Sequence, residues 1–349
     1  MKHDPVWFPW PTEPIEGPPE SYLREIGTVF AVFDERTQDS GNISWGVEIL
    51  GRRAFVKSAG RPDVDRPTSH QERCRILKNG VDVVCSVDRP VRRRSTDDSP
   101  ARDRVVLSSH DGEAPPTGDR VVPSIPEGEV PTTRDRTLLP RHLGQFDSSW
   151  GPVVVFEWAE GELLYRRRPN HSHTTPHPIH VSADDGADTR YIGGTLRSPL
   201  ERLQSLPRAT VREFLNDVFR LHALLEAEGW ISCDFYDGCL LYDFASHRCH
   251  VIDLDHYVRG PFVNSMGRMF GSSRFMAPEE FQLGARIDTR TSVFHLGRLG
   301  QIVLGSRARL EVFDRACRDA PADRWRTVAE FVEAWESTRA WEDTRTEGE

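Results

Sequence analysis

No Phe, Tyr or Trp occurs between residues 56 and 145. That stretch is loaded instead with Arg, Asp, Pro and Ser, as in RPVRRRSTDDSPARDR and HDGEAPPTGDR. Such a composition buries too little surface to offset the entropy of ordering. Residues 59–148 are therefore expected to be disordered, or to be out-of-frame sequence joining two halves of an ordinary domain. Lysine is nearly absent too: Lys2, Lys57 and Lys78 are the only three among 45 cationic residues. A GC-rich coding bias explains the arginine excess, and against it each retained lysine invites a reason. No run reaches the roughly 18 apolar residues of a membrane span. The opening MKHDPVWFPWPTEP carries no apolar signal-peptide core. There is no excess of positive charge: 45 basic residues face 54 acidic ones, a net charge of −9, which argues against generic nucleic-acid binding. No CxxC pair occurs among Cys74, Cys85, Cys233, Cys239, Cys249 and Cys317. They read as reduced thiols of a cytoplasmic protein.

What remains is enough for a core. A chain of 349 residues with 37% apolar content suits one large two-lobed domain or two ordinary ones. Residues 1–24 read as an extended Pro-rich arm carrying Trp7, Phe8 and Trp10. Residues 25–58 read as three strands, VFAVF, SWGVEIL and AFVKSA, separated by polar turns. Order resumes at 149–160 with the apolar strand GPVVVFE and continues through 161–338. ATVREFLNDVFRLHALLEAEG has Val211, Phe214, Leu215, Val218, Leu221, His222 and Leu225 on one helical face. Thr327-Val-Ala-Glu330 forms a capping box for a last helix burying Val328, Phe331, Val332 and Trp335. Residues 339–349 are an acidic tail.

The densest chemistry lies in ISCDFYDGCLLYDFASHRCHVIDLDHY, residues 231–257. Paired as a hairpin about Ala245 and Ser246, its strands bring Cys239 roughly opposite Asp253. Asp234, Asp237, Asp253 and Asp255 then gather at one end. Clustered carboxylates repel unless a cation or hydrogen-bond donors offset them. Hard oxygen ligands of this kind suit Mg²⁺ carrying phosphate oxygens; the plainer alternative is a solvated acidic turn.

Here the chain resembles the protein-kinase superfamily, in a divergent, bacterial Ser/Thr-kinase-like form. Asp234 falls at the catalytic-loop Asp, Asp253 at the metal-binding Asp, and Ala277-Pro278-Glu279 in GSSRFMAPEEF at the Ala-Pro-Glu signature. Gly297, in the buried helix, and Arg324, the partner of Glu279, follow in order. Upstream, AFVK puts Lys57 at the phosphate-binding lysine. VVVFEWAEGELL resembles the hinge, with Glu157, Trp158 and Ala159 offering backbone groups to adenine. The resemblance covers residues 25–58 and 150–336. It implies an α+β, two-lobed fold with a small β-rich N-terminal lobe and a larger helical C-terminal lobe. It also implies ATP and Mg²⁺ as cofactors and transfer of phosphate to a Ser or Thr hydroxyl of a protein substrate.

The departures open alternatives. There is no GxGxxG loop; TQDSGNISWG has only Gly41 and Gly46. Phe55 replaces the alanine before the lysine, Ser232 and Cys233 precede Asp234, and Cys239 takes the Asn position. A soft thiol is a poor Mg²⁺ ligand. Asp237 offers itself as a replacement ligand. Asp255 forms a D-x-D pair resembling that of small-molecule kinases. Ser292 stands at the buried-helix aspartate. Glu72 is the one reasonable partner for Lys57. A catalytically weak nucleotide-binding pseudokinase scaffold and a small-molecule kinase are therefore the competing readings. Ser272 and Ser273 sit where phosphorylation would meet Arg268 and Arg274, or they serve as turn caps. Cys233 and Cys239, flanking the site, read as a redox switch or as small buried residues. His171, His173, His177 and His180 read as a Zn²⁺ site or as a polar loop.

Overall fold

The computed structural model describes residues 10–35, 37, 40–64, 68–88, 138–165, 197–305 and 310–338. The fold is α+β. A five-stranded antiparallel sheet in the order β1-β2-β3-β5-β4 is built from β1 (Thr28–Phe33), β2 (Ile43–Ile49), β3 (Arg52–Ser58), β4 (His142–Ser148) and β5 (Gly151–Glu157). The first three are the strands expected from residues 25–58.

Strand alternation divides the sheet into two faces. Trp45, Val47, Ala54, Val56, Val153 and Val155 fill one face and pack with Leu23 and Phe146. Gly46, Phe55, Lys57, Val154 and Phe156 take the other by register, since Gly46 pairs with Phe55, Phe55 with Phe156 and Lys57 with Val154. Helix α1 (Pro19–Ile26) buries Leu23 against the first face. Helix α2 (His70–Asp88) lies on the second through Leu77 and Val81.

Two expectations are corrected here. Residues 1–24 are not simply an extended arm, because α1 begins inside them. Pro19 sits at the first helical position, where its missing N–H costs nothing. Trp10 does pack on a neighbouring surface, stacking on Phe146 at 5.8 Å; Trp7 and Phe8 lie outside the described residues. Nor is 59–148 uniformly without structure, since α2 and β4 fall within it. Helix α2 buries Ile76, Leu77, Val81, Val83 and Val84, an aliphatic stripe that a count of aromatic rings overlooks. Residues 89–137, the histidines at 171–180 and the tail 339–349 lie outside the described residues.

The second part of the chain is mainly helical. Short β6 (Glu162–Leu163) joins β8 (Leu240–Asp243) and β9 (Arg248–Val251) in a small sheet. Strands β7 (Trp230–Ile231) and β10 (Val258–Arg259) form one ribbon, and β11 (Phe262–Val263) and β12 (Arg286–Ile287) another. Around them pack α3 (Pro199–Gln204), α4 (Arg208–Ala227), α5 (Thr289–Leu304), α6 (Glu311–Ala316) and α7 (Val328–Glu336). Helix α4 buries all seven residues of the expected stripe, and Phe219 besides. His222 on that stripe is a core histidine. Its ring bonds the Val218 carbonyl and the Tyr257 hydroxyl, both at 2.8 Å, and burial lowers its pKa to about 4. At α7 the Thr327 hydroxyl accepts from the Glu330 N–H, while the Glu330 carboxylate turns to the Arg326 N–H. Among the described residues no helix is long and apolar enough to cross a membrane.

Helices α5 and α6 meet at glycine. A Cβ on Gly300 would lie 2.3 Å from Phe313 Cε1, and Phe313 is fully buried. Gly300→Ala is expected to lower the free energy of unfolding in urea by about 1–3 kcal/mol through overpacking, despite the better helix propensity of alanine.

Candidate active site around Lys57, Asp234 and Asp253

The β8–β9 hairpin turns about Ala245 and Ser246, with Leu240 paired to Val251 and Asp243 to Arg248. The ladder runs out where the Ile252 N–H donates to the Cys239 carbonyl at 2.9 Å, so Asp253 leaves the strand just beyond the rung that Cys239 closes. Asp253 has φ of +63° and Asp234 has φ of +57°. Among the described residues only Leu50 and His247, both in hairpin turns, share that non-glycine conformation. Left-handed backbone outside turns costs energy and is characteristically stored where side chains must be aimed.

Asp253 and Asp255 both meet Lys57. Its ammonium donates to Asp253 Oδ1 at 2.8 Å and to Asp255 Oδ2 at 2.5 Å, across 196 and 198 residues of sequence. Burial alone would lower the lysine pKa, but the two carboxylates raise it above its ordinary value. Lys57 holds the Asp253 carboxyl below the usual range, whereas burial pushes that of Asp255 up. Asp253 remains 45% exposed, while Asp255 is 9% exposed. Asp234 lies in the same electrostatic neighbourhood. Burial, then the Asp253 charge, push its carboxyl up to about 7. Its Oδ2 stands 4.0 Å from His256 Nε2.

Three expected roles are not supported by the geometry. Asp237 does not join the other aspartates as a metal ligand. Its Oδ1 receives Arg274 at 2.6 Å, because the one-turn 3₁₀ helix 237–239 faces the segment that carries Arg274. Glu72 does not reach Lys57; it pairs with Arg75 on the outer side of α2, at 2.6 Å. Arg274 is no vacant phosphate receptor for Ser272 or Ser273, since Asp237 already occupies it, and Arg268 donates to the carbonyls of Met269 and Gly271. The Ser272 carbonyl caps a turn by accepting from the N–H groups of Phe275 and Met276. Among the described residues no group of three or more His, Cys, Asp or Glu side chains is placed to hold a metal. Mg²⁺ often takes one or two carboxylates and leaves the rest to phosphates and water. Asp253, half-exposed and with Oδ1 alone on Lys57, fits such a ligand; Asp255 is closed in on Lys57, and Asp237 has Oδ1 on Arg274 and a buried Oδ2 with no hydrogen-bond partner among the described residues. Cys239 is buried, its thiol pKa driven well up by desolvation, and Sγ donates to the Asp234 carbonyl at 3.4 Å. It supports the loop backbone. All six cysteines are free.

Of the three residues expected to face adenine, Glu157 and Trp158 spend their N–H groups on the carbonyls of Arg141 and Arg53. Rings crowd this corner on the Lys57 face. Trp158 lies edge-on to Phe30 at 4.9 Å and 6.4 Å from Phe55. A Cβ at Gly46 would come within 2.6 Å of Phe30 and 2.9 Å of Trp158. The bulk of Phe55 was legible in the sequence; the convergence of Phe30 and Trp158 on Gly46 was not.

Behind Asp234 a buried chain of polar contacts holds its loop. Ser232 N–H donates to Ser292 Oγ at 2.9 Å. The Ser232 hydroxyl meets His295 Nδ1 at 3.0 Å, and His295 Nε2 meets Glu280 Oε2 at 2.7 Å. His295 and Glu280 carried no sequence signal beyond polar residues inside apolar runs. Glu279 and Arg324 form the expected pair, doubly bonded at 2.7 and 2.8 Å and buried. Burial raises the Glu279 carboxyl pKa, but Arg324, backbone hydrogen bonding and Thr291 together outweigh it and the net shift is downward.

No model of a known protein family matches the chain, and no curated protein matches it.

Arg324→Met strands a buried carboxylate and is expected to destabilise the fold by about 3–5 kcal/mol in urea unfolding, with Glu279→Leu added in the same chain recovering most of the loss. Folding raises the Asp234 pKa from 3.8 to about 7. The folded chain therefore binds this proton more tightly, and the resulting stability is full below about pH 4 and lost as pH rises through 7. Relative to the parent, Asp234→Asn should become progressively more stable between pH 4 and 8, by about 2–4 kcal/mol at most, as read from urea midpoints across that range.

Proposed function

We propose that this chain is a protein-kinase-like phosphotransferase with a two-lobed fold, transferring phosphate from ATP with Mg²⁺ to a Ser or Thr hydroxyl of a protein. The observation that carries this reading is the bond of Lys57 to Asp253, with Asp234 in electrostatic reach of both and the two aspartates on left-handed backbone. Phosphoryl transfer asks a protein mainly for positioning and charge neutralisation. Lys57 is a compact ammonium suited to phosphate oxygens. Asp253 has a half-exposed carboxylate suited to Mg²⁺, whose bound charge would offset that of the phosphates. Asp234, with a pKa near neutral, suits accepting a proton from an attacking hydroxyl. The paired Glu279 and Arg324 support the segment before which a peptide would lie.

A second reading, a pseudokinase scaffold, is favoured by the rings of Phe30, Phe55 and Trp158 beside the hinge and by the commitment of Asp237 to Arg274. The small-molecule-kinase reading loses its support, because the second aspartate of the D-x-D pair is spent on Lys57.

Thermal denaturation with ATP, with and without Mg²⁺, combined with transfer of labelled γ-phosphate to the chain itself and to a generic basic protein, separates these. A Mg²⁺-dependent shift with label that falls at least ~100-fold in Asp253→Asn and Asp234→Asn supports the kinase. A shift without label establishes the scaffold, and neither shift nor label overturns both.

A further inference from the structure

Helix α2 packs on the Lys57 face of the sheet, yet among its described side chains none brings an acid to Lys57. Its only glutamate, Glu72, is on Arg75, and Asp82 is exposed. Where the helix comes nearest the lysine's partners it presents Gly80. A Cβ there would lie 2.1 Å from Asp255 Oδ1 and 3.0 Å from Asp255 Cγ. A glycine inside a helix is destabilising, so this one has a spatial reason. The preceding residue fastens the same segment from the other side: Asn79 Nδ2 donates to the Asp255 carbonyl at 2.8 Å and to the Tyr257 carbonyl at 2.7 Å. The helix thus receives both the side chain and the backbone of Asp255.

The two carboxylates on Lys57 are not equivalent. Asp255 is closed in, one oxygen on the ammonium at 2.5 Å and the other in the notch at Gly80. Asp253 stays open to solvent, 45% exposed. We propose that Asp255, lodged in the notch that Gly80 leaves in α2, is the permanent counterion and positioning residue of Lys57, which frees Asp253 to turn its carboxylate to a cation. Helix α2 acts here by its shape, and a displacement of α2 would release Lys57. The role of Asp253 rests on the phosphotransferase reading; the contact among Lys57, Asp255 and Gly80 stands without it.

A double-mutant cycle on the full chain, read by urea unfolding without nucleotide, tests this. In the parent, Asp255→Asn should raise the unfolding constant at least ~10-fold. In a Lys57→Met background the same change should be neutral or stabilising, because it then removes a buried charge that has no counterion. The matching cycle with Asp253→Asn should show the weaker coupling expected of a half-exposed pair. Equal effects of Asp255→Asn in both backgrounds, or stronger coupling to Asp253, would overturn the proposal. Should Lys57→Met not fold, Gly80→Ala decides. It should destabilise the parent but stabilise Asp255→Gly, where the notch is empty; stabilisation of the parent would sink the idea. None of these readings needs phosphate transfer, so an inactive chain with strong coupling between residues 57 and 255 would fail the functional proposal and keep this one.

Discussion

A single buried ammonium ties the two parts of this molecule together. Lys57 leaves the five-stranded sheet and ends on two carboxylates from the far side of the β8–β9 hairpin. A charge so enclosed is tolerated only when paired, so the sheet, the hairpin and α2 must hold their relative positions for Lys57 to be there at all. The face pattern of β3 follows from the same requirement. Ala54 and Val56 fill the apolar face, and Lys57 takes the other, where acids await it.

Around this contact the chain accepts local costs that packing elsewhere offsets. Asp234 and Asp253 occupy left-handed backbone, and Asp234 carries a carboxyl driven toward neutral pH by burial and by its neighbour. The restraint comes from behind. Ser232, Ser292, His295 and Glu280 form a continuous buried chain to α5, and Glu279 with Arg324 closes the next layer. Buried polar contacts of this kind favour one arrangement of the loop, although Glu280 Oε1 has no hydrogen-bond partner among the described residues. The loop that carries Asp234 therefore rests on buried polar contacts to α5.

Much of this was legible in the residues. The three strands of 25–58, the stripe on α4, the hairpin about Ala245 and Ser246, and the pair Glu279 and Arg324 all follow from periodicity, turn chemistry or motif order. Segment 59–148 holds more structure than its lack of rings suggests, because α2 buries aliphatic side chains instead. The partner of Asp237 was not legible for a different reason: four aspartates in one stretch look alike as letters, and which of them meets an arginine depends on Arg274, a residue 37 positions away. Gly80 carried no signal in the sequence, since a glycine in a helix becomes meaningful only when the side chain that fills its place is known.

The amino-acid sequence by itself determined the local elements and the inventory of chemical groups, because strand alternation, helical spacing and capping act between near neighbours. It also singled out Lys57, Asp234 and Asp253. Only the tertiary structure decided the partners: Asp255 on Lys57, Arg274 on Asp237, Arg75 on Glu72, and the rings of Phe30 and Trp158 against Gly46. Electrostatic pairing and steric exclusion fall off over a few ångströms, and distance along the chain does not predict distance in space.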